Sequence, residues 1–293
     1  MDLSKLKRRP SFPIETIAVA LAFSPRLDGI LAEAKRIKLQ LNSALILIHV
    51  GEKTAEKEEI LDSGLQKAGL VPSDCRIIWM DGDPVETILN VCKLNIVDLL
   101  ILGALQKEKL LKFYTGSVAR SISRKAKTSV LLITEPKVEP CKIKKIVVNG
   151  IDNPKTLHTI ATSLYLARLL EVKDITIVNE VYNPAMAMTI AENSTAPEAN
   201  KLKRDIAEEQ VSRLHPIIEQ SQEQYPEIAI KEKVVNGKPG YAISNYAKSK
   251  NADLLVVNST DVHLNLFDRI FTHDMEYVLQ DLPCNLLIVH SRI

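Results

Sequence analysis

The feature of this sequence that most limits its fold is an internal repeat. An aspartate followed by branched apolar residues occurs twice, as DLLILG from Asp98 and as DLLVVN from Asp253, and other landmarks keep the same order in both halves. The matched segments are 16–21 with 146–150, 44–50 with 174–179, 82–84 with 237–239, 98–103 with 253–258, and 128–133 with 284–289. The offset is 155 residues between positions 98 and 253, and 156 between positions 128 and 284. This regularity predicts a tandem duplication of one domain.

Each half alternates short apolar runs with segments of helical length, five strands with four helices in the first half. Continuous apolar runs suit parallel strands that are buried on both faces, joined by right-handed crossovers. We therefore predict an α/β protein of two tandem doubly wound domains, each a five-stranded parallel sheet with helices on both faces. The 293 residues suit two domains of about 140 residues. The prolines and mixed charges of residues 135–141 (EPKVEPC) predict a linker between domains at 1–136 and 141–293.

Local signals predict where several helices begin and end. Pro25 is expected in the first turn of a helix over 25–41, with Ser24 as its N-cap. Gly69 is expected as the C-cap of a helix over 54–68. The segment between the second and third strands is about twice as long in the second half, at 181–227, as in the first. A loop of that length suits a lid, a dimer contact, a partner surface or a plain extension.

The strongest functional signal lies between the fourth and fifth strands of the first half. Gly103 closes the fourth strand, and Gly116-Ser117 opens a helix that is expected to run to about residue 127. A glycine followed by a hydroxyl at a helix start presents unpaired backbone N–H groups and a side-chain donor, which together can bind an anion. Ligands of such sheets lie beyond the carboxyl ends of the strands. The loops after Leu21 and Leu102 should therefore converge there with the loop after Val50.

Positive charge is concentrated around this helix, although the net charge of the chain is only +2. Between Gly103 and Thr128 the single acid is Glu108. The bases there are Lys107, Lys109, Lys112, Arg120, Arg124, Lys125 and Lys127. Such a cluster favours a phosphate ligand, and the alternative is a solvated basic helix face.

These residues resemble the universal stress protein family in its tandem two-domain form, over residues 14–290 approximately. The nucleotide loop of its ATP-binding members runs Gly, two residues, Gly, nine residues, Gly, then Ser or Thr. Here Gly103 holds the first position, Gln106 replaces the second glycine, and Gly116-Ser117 hold the last pair. The aspartate that many of these members carry after the first strand is replaced by Ala22.

The resemblance implies a Rossmann-like, adenine nucleotide alpha hydrolase-like fold and a regulatory role in a stress response. It also implies that the first domain binds ATP or a related adenine nucleotide, with Mg²⁺ as a companion ion. The expected nucleotide-binding residues are Leu21, Ala22, Val50, Leu102, Gly103, Gln106, Gly116, Ser117, Val118 and Ala119. The first three would line the nucleoside, and the last four would hold the phosphates.

The second half departs further from the family motif and is interpreted as a non-binding or differently binding copy. Asn258 and Asp261 replace the two glycines, and Phe271-Thr272 replace Gly-Ser. Its acids there are Asp261, Asp268, Asp274, Glu276 and Asp281, against Arg269 as the one base, and they would repel a triphosphate. The resemblance implies that the final strands of the halves, 130–133 and 286–289, meet in a pseudo-dimer within the chain. Whether two chains also form a homodimer is left undecided by the sequence.

Other chemistries find less support. The chain lacks an SGGxDS-like loop, an HxGH-type pair and a GxGxxG run after the first strand. We therefore predict no dedicated catalytic machinery, so the chain is not expected to be an enzyme, although slow ATP hydrolysis stays open. A metal site at Asp261, His263, His273 and Asp274, or nucleic acid bound by the basic cluster, is less favoured. The main alternative function is an interaction module for an unknown protein partner that binds no nucleotide, because Gln106 and Ala22 depart from the motif.

The sequence also predicts a cytoplasmic protein. No apolar run approaches the ~18 residues of a membrane helix, and the basic start MDLSKLKRRP is followed by no signal-peptide pattern. The four cysteines (Cys75, Cys92, Cys141 and Cys284) are widely spaced, with no CxxC pair. Such spacing favours free thiols in a reducing compartment over disulfides or zinc.

Overall fold

The computed structural model describes residues 12–107, 112–114, 116–151, 153, 155–182, 214–259 and 269–290. The elements of the first half are β1 (Thr16–Ala20), α1 (Leu27–Leu41), β2 (Ala44–Val50), α2 (Ala55–Ala68), β3 (Cys75–Met80), α3 (Pro84–Leu94), β4 (Leu99–Gly103), β5 (Leu105–Lys107), β6 (Lys112–Tyr114), α4 (Ser117–Lys125) and β7 (Ser129–Ile133). Those of the second half are β8 (Lys145–Asn149), α5 (Thr156–Leu169), β9 (Asp174–Val181), β10 (Ala229–Asn236), α6 (Tyr241–Ser249), β11 (Leu254–Asn258), α7 (Arg269–Gln280) and β12 (Asn285–Val289). Residues 214–224 are helical as well.

Ten of these strands form one sheet, in the order β10-β9-β8-β11-β12-β7-β4-β1-β2-β3. Within each half the strands are parallel and follow the doubly wound order 3-2-1-4-5. The halves join where β7 and β12 pair antiparallel, with Leu132 opposite Leu286. The predicted fold class is confirmed, and the final strands meet as the resemblance implied. The predicted domain limits at 1–136 and 141–293 stay a prediction.

The apolar runs form these strands because helices cover both faces of the sheet. All five residues of β7 are buried, as are four of the five residues of β4. Two layers of aliphatic side chains lie on the two faces, and each layer contains residues of both halves. Leu131 and Leu287 belong to one layer, and Leu132 and Leu286 belong to the other. The hydrophobic core is therefore continuous across the junction.

The aspartate of the repeated DLL motif has a structural role in both halves. One carboxylate oxygen of Asp98 accepts hydrogen bonds from the N–H groups of Glu15 and Thr16, each at 2.9 Å. Asp253 does the same for Lys144 and Lys145, at 2.8 and 2.9 Å. Each aspartate thus fixes the start of the first strand against the start of the fourth, with charge-assisted bonds.

The prediction of a helix C-cap at Gly69 is confirmed, and the prediction of a helix N-cap at Ser24 is wrong. Gly69 is the C-cap of α2 with φ +66°, a conformation that favours glycine. The helix predicted from Pro25 begins only at Leu27, after a turn in which the Leu27 N–H donates to the Ser24 carbonyl. The hydroxyl of Ser24 accepts the Arg26 N–H at 3.3 Å, so Ser24 stabilises this turn and does not cap the helix.

A short ribbon between β4 and α4 was not foreseen from the sequence. Strands β5 and β6 pair antiparallel and place Gln106 opposite Phe113. The sequence had given only a connecting loop between Gly103 and Gly116. Strands of three residues are too short for apolar alternation to reveal them.

The halves touch outside the sheet as well. The Ile14 N–H donates to the hydroxyl of Tyr165 on α5 at 3.2 Å, and Phe12 stacks on the same ring with the ring centroids 5.2 Å apart. At the junction of β7 and β12, the Asn285 side-chain oxygen accepts the N–H and the hydroxyl of Thr134 at 3.0 and 3.1 Å. No described helix is both long and apolar enough to span a bilayer.

Candidate functional site

The order of the first-half strands creates a crevice above β1 and β4. Strand β1 lies between β2 and β4, so the direction in which the chain adds strands reverses there, and the loops diverge at the carboxyl ends. Leu21 follows β1 and is buried, whereas Ala22 is exposed. On β4, Leu102 is buried and Gly103 is exposed. Two of the residues predicted for the site, Ala22 and Gly103, thus face solvent at the same edge of the sheet.

The backbone at Gly103 has room for a side-chain carbon. Among the described residues, a Cβ built on it would meet Ile30 of α1 at ordinary contact distances of 3.5 and 3.8 Å and nothing closer. The position therefore tolerates a small side chain sterically. What the glycine provides is room for another group to approach the chain closely.

The start of α4 provides a row of backbone donors. Gly116 is the N-cap with φ −62° and ψ 164°, and its carbonyl accepts the first intrahelical hydrogen bond, from the Arg120 N–H at 2.8 Å. The N–H groups of Ser117, Val118 and Ala119 precede that bond, so they are the ones an anion could use. Ser117 and Val118 are exposed, while Ala119 is buried. The predicted helix start is confirmed, and the helix ends at Lys125, two residues before the predicted end.

Three rings pack together at the carboxyl ends of β1, β2 and β3. Phe23 stacks on Trp79 at 5.7 Å between centroids, and His49 meets both edge-on at 4.7 and 5.0 Å. His49 was predicted to be a packed strand residue, and it is 9% exposed. Its Nδ1 lies 3.1 Å from the Leu21 carbonyl, which can only accept, so Nδ1 carries the proton. The buried Nε2 has no hydrogen-bond partner among the described residues. Val50, the residue predicted for the nucleoside end, is half-buried and packs against the other hydrophobic layer, which contains Ile48.

Arg26 was not foreseen as part of the site. It is the residue before α1, and its Nη1 donates to the carbonyl of Ala104 at 2.7 Å. Since Ala104 directly follows Gly103, this bond crosses the crevice from the β1 side to the β4 side. A sequence pattern cannot reveal a contact between residues 78 positions apart, although a basic residue at a helix start is an unusual choice.

Part of the basic cluster serves the junction between the halves. The Arg124 Nε donates to Glu276 of α7 at 2.8 Å, and the Arg120 Nη1 lies 3.8 Å from the same carboxylate. The sequence pattern places Arg120 and Arg124 in a cluster that attracts phosphate. This interpretation is incomplete, because Glu276 of the second half neutralises part of their charge. The side chains of Gln106, Lys107 and Lys112, and the whole of Lys109, lie outside the described part.

In the second half, the residue that corresponds to Gly103 is bonded to the first helix of that half. Asn258 stands where the first half has Gly103, and its amide group accepts from the Thr159 hydroxyl and donates to the Thr156 hydroxyl at 3.1 Å. These threonines match Ile30 and Leu27 of α1 at an offset of 129 residues. Both ends of the Asn258 amide are thus satisfied by α5, and this position carries a bonded side chain where the first half has none.

The two halves also differ in the backbone N–H groups at the start of the helix that precedes the last strand. Helix α7 begins at Arg269, so Phe271, which matches Gly116, is already its third residue. By α-helix geometry, the N–H groups that match those of Ser117–Ala119 fall at residues 272–274 and bond within the helix. In the described part of the second half, the positions that match Gly103 and the α4 donors therefore provide neither a glycine nor unpaired N–H groups.

Metal and thiol chemistry finds no support in the residues that the structure describes. No group of three His, Cys, Asp or Glu side chains gathers there, while Asp261 and His263 and the side chains of His273 and Asp274 lie outside that part. All four cysteines are free thiols. Burial raises the pKa of the Cys92 and Cys284 thiols to about 12, so neither is a thiolate near neutral pH.

Comparison with known proteins identifies a family. The model of the universal stress protein family matches residues 51–134 and again residues 143–290. Among solved structures, a universal stress protein from Archaeoglobus fulgidus is 15% identical with a TM-score of 0.68, and the match covers 96% of this chain and all of that one. A functionally unknown protein from Pseudomonas aeruginosa is 17% identical with a TM-score of 0.66, covering 99% of this chain and 95% of that one. No curated protein matches. At these identities the structural likeness establishes the fold.

Proposed function

The chain belongs to the universal stress protein family, and from this premise we propose that its first half binds ATP or a related adenine nucleotide, together with Mg²⁺. The phosphates would lie on the N–H groups of Ser117, Val118 and Ala119, with the close approach made beside Gly103. The nucleoside would lie towards Leu21, Ala22 and Val50. Leu102 would support the floor beneath Gly103.

The observation that carries this proposal is the difference between the two crevices of one chain. The fold, the strand order and the Asp98/Asp253 bonds are the same in both halves, so the duplicated scaffold is intact on each side. Gly103 in the first half leaves the backbone accessible to a close approach, whereas the matching Asn258 carries a side chain that is bonded to α5. Among the described residues, a Cβ at Gly103 would meet nothing closer than 3.5 Å, so packing alone does not require a glycine there.

The proposal makes the protein a nucleotide-responsive regulator of a stress response and gives it no catalytic task. The second half would be a structural half, joined to the first as a covalent pseudo-dimer in which linkage raises the effective concentration of each half for the other. The four free thiols support a place in the reducing cytoplasm.

A second candidate is an interaction module that binds no nucleotide. Two observations favour it: Ala22 offers no carboxylate to a ribose, and Glu276 already neutralises charge on Arg120 and Arg124. The unknown partner would then be another protein, and the segment 181–227 would be the first place to look for its contacts; residues 183–213 of this segment lie outside the described residues.

Calorimetric titration with ATP and Mg²⁺ separates the candidates, using nucleotide-stripped wild type, Gly116→Phe and Gly116→Ala. The φ of −62° at Gly116 is open to any residue, so neither substitution strains the backbone. We expect the phenyl ring to block the approach to the α4 donors by its size, and the methyl group to leave it accessible. Binding in wild type and Gly116→Ala, lost in Gly116→Phe, supports the nucleotide site. Absence of heat and of a thermal shift in the wild type leaves the interaction module.

A further inference from the structure

The two halves share an unusual choice at the start of their first helices. Arg26 is the N-cap of α1 and Lys155 is the N-cap of α5, and neither side chain caps its helix. Helix starts favour Ser, Thr, Asp or Asn, and the helix dipole repels a cation there. Helix physics therefore gives no reason for a base at either position, and the reason must lie in what the side chain reaches.

The two cationic side chains bond equivalent backbone carbonyls in their respective halves. The Arg26 Nη1 donates to the carbonyl of Ala104 at 2.7 Å, and the Lys155 Nζ donates to the carbonyl of Ser259 at 3.2 Å. Ala104 and Ser259 are each the residue after the fourth strand of their half. Each cation is therefore fixed across the crevice at which the strand order reverses.

The surroundings of the two cations differ. Lys155 is only 6% exposed and also donates to the Ser259 hydroxyl at 3.1 Å, beside the closed network of Asn258. Arg26 is partly exposed, and its carbonyl partner belongs to an alanine that directly follows the exposed Gly103. The cation of the second half is therefore buried, whereas that of the first half is in part accessible to solvent.

We propose that Arg26 makes the first-half site selective for a nucleoside di- or triphosphate over a nucleoside or monophosphate, an inference that rests on the proposed function. The donors at the start of α4 can hold one phosphate group. The planar guanidinium of Arg26, held at the Ala104 carbonyl beside Gly103, would present N–H groups to the oxygens of a second group. Its bond to Ala104 fixes the side chain before the ligand arrives, which lowers the entropy cost of binding.

The test compares ATP, ADP, AMP and adenosine by calorimetry in wild type, Arg26→Gln, Arg26→Lys and Arg36→Gln. Arg36 is the matched control because it is an arginine of α1 whose Nε bonds Glu33 at 2.8 Å and whose Nη1 bonds Gln40 at 2.6 Å, away from the crevice. Thermal melts of all four proteins establish that they are folded.

We expect Arg26→Gln to weaken ATP and ADP about tenfold or more, the value of a charge-assisted hydrogen bond, and to leave AMP and adenosine within about twofold. Arg26→Lys should restore part of the loss, and Arg36→Gln should bind like wild type. An unchanged ratio of ATP to AMP affinity in Arg26→Gln, or an equal loss for all four ligands, overturns the inference and leaves the nucleotide site. No binding of any ligand by wild type overturns the proposed function and this inference with it.

Discussion

Shortening one leucine at the junction of the halves should destabilise both of them. Leu286 on β12 lies directly opposite Leu132 on β7, and both side chains are completely buried. If the ten strands form one cooperative sheet, Leu286→Ala weakens the first half as well as the second. If the halves fold separately, only the second half responds.

The size of the effect follows from the burial. Leu→Ala removes about three methylene equivalents, and each is worth ~0.8 kcal/mol when fully buried, which gives ~2.4 kcal/mol. The cavity left behind adds to this figure, because neighbours in a packed sheet relax only in part, so the expected loss is about 3–4 kcal/mol. Leu39→Ala on α1 is the control, since a side chain that is 63% exposed should change stability by less than about 0.5 kcal/mol.

Trp79 makes the assay decisive. It is the single tryptophan of the chain and lies on β3, at the far edge of the first half, so its fluorescence reports on that half alone. Far-ultraviolet circular dichroism reports on the whole chain. In urea, Leu286→Ala should move both midpoints down together. A Trp79 midpoint that stays at its wild-type value, while circular dichroism shows earlier unfolding, would refute the reasoning.

Three further changes probe the site, the junction and the thiols. Gly103→Asn, which copies Asn258, should fold with a wild-type circular dichroism spectrum, because among the described residues its Cβ meets nothing closer than Ile30 at 3.5 Å. It should lose ATP affinity in calorimetry, and retained affinity would show that the ligand does not need a glycine there. Glu276→Gln should cost about 1 kcal/mol or less in urea unfolding, and less in high salt, because its ion pairs with Arg120 and Arg124 are partly exposed; a salt-independent cost would contradict the ionic reading. At pH 8 a thiol reagent should modify exposed Cys141 in the native protein, while Cys92 and Cys284, whose pKa burial raises to about 12, react only after unfolding in urea; rapid reaction of all four thiols would argue against the burial.

The sequence predicted what depends on short-range pattern and on repetition. The repeated DLL motif and the apolar runs led to two doubly wound halves, and the structure adds that Asp98 and Asp253 are repeated because each holds a neighbouring strand. Gly116-Ser117 marked the start of α4 correctly, since a helix start is decided by adjacent residues.

What the sequence missed depends on contacts between distant residues. Arg26 reads as an ordinary surface base until it is found on the carbonyl of Ala104. The acids of the second half were read only as repelling phosphate, whereas Glu276 pairs with Arg124, 152 positions away. Asn258 was read as a lost glycine, and only the structure shows that its side chain is bonded to Thr156 of α5.

The most direct test of a nucleotide site confined to the first half is amide hydrogen exchange, measured by mass spectrometry with and without ATP and Mg²⁺. Bound phosphates would occupy the N–H groups at the start of α4, and the ligand would shield the backbone beside Gly103. We expect slower exchange in peptides that cover 102–104 and 116–120, and no change in those that cover 254–259 and 269–280. Protection in the second half alone, or unchanged exchange in the first half at saturating ATP, would contradict the assignment.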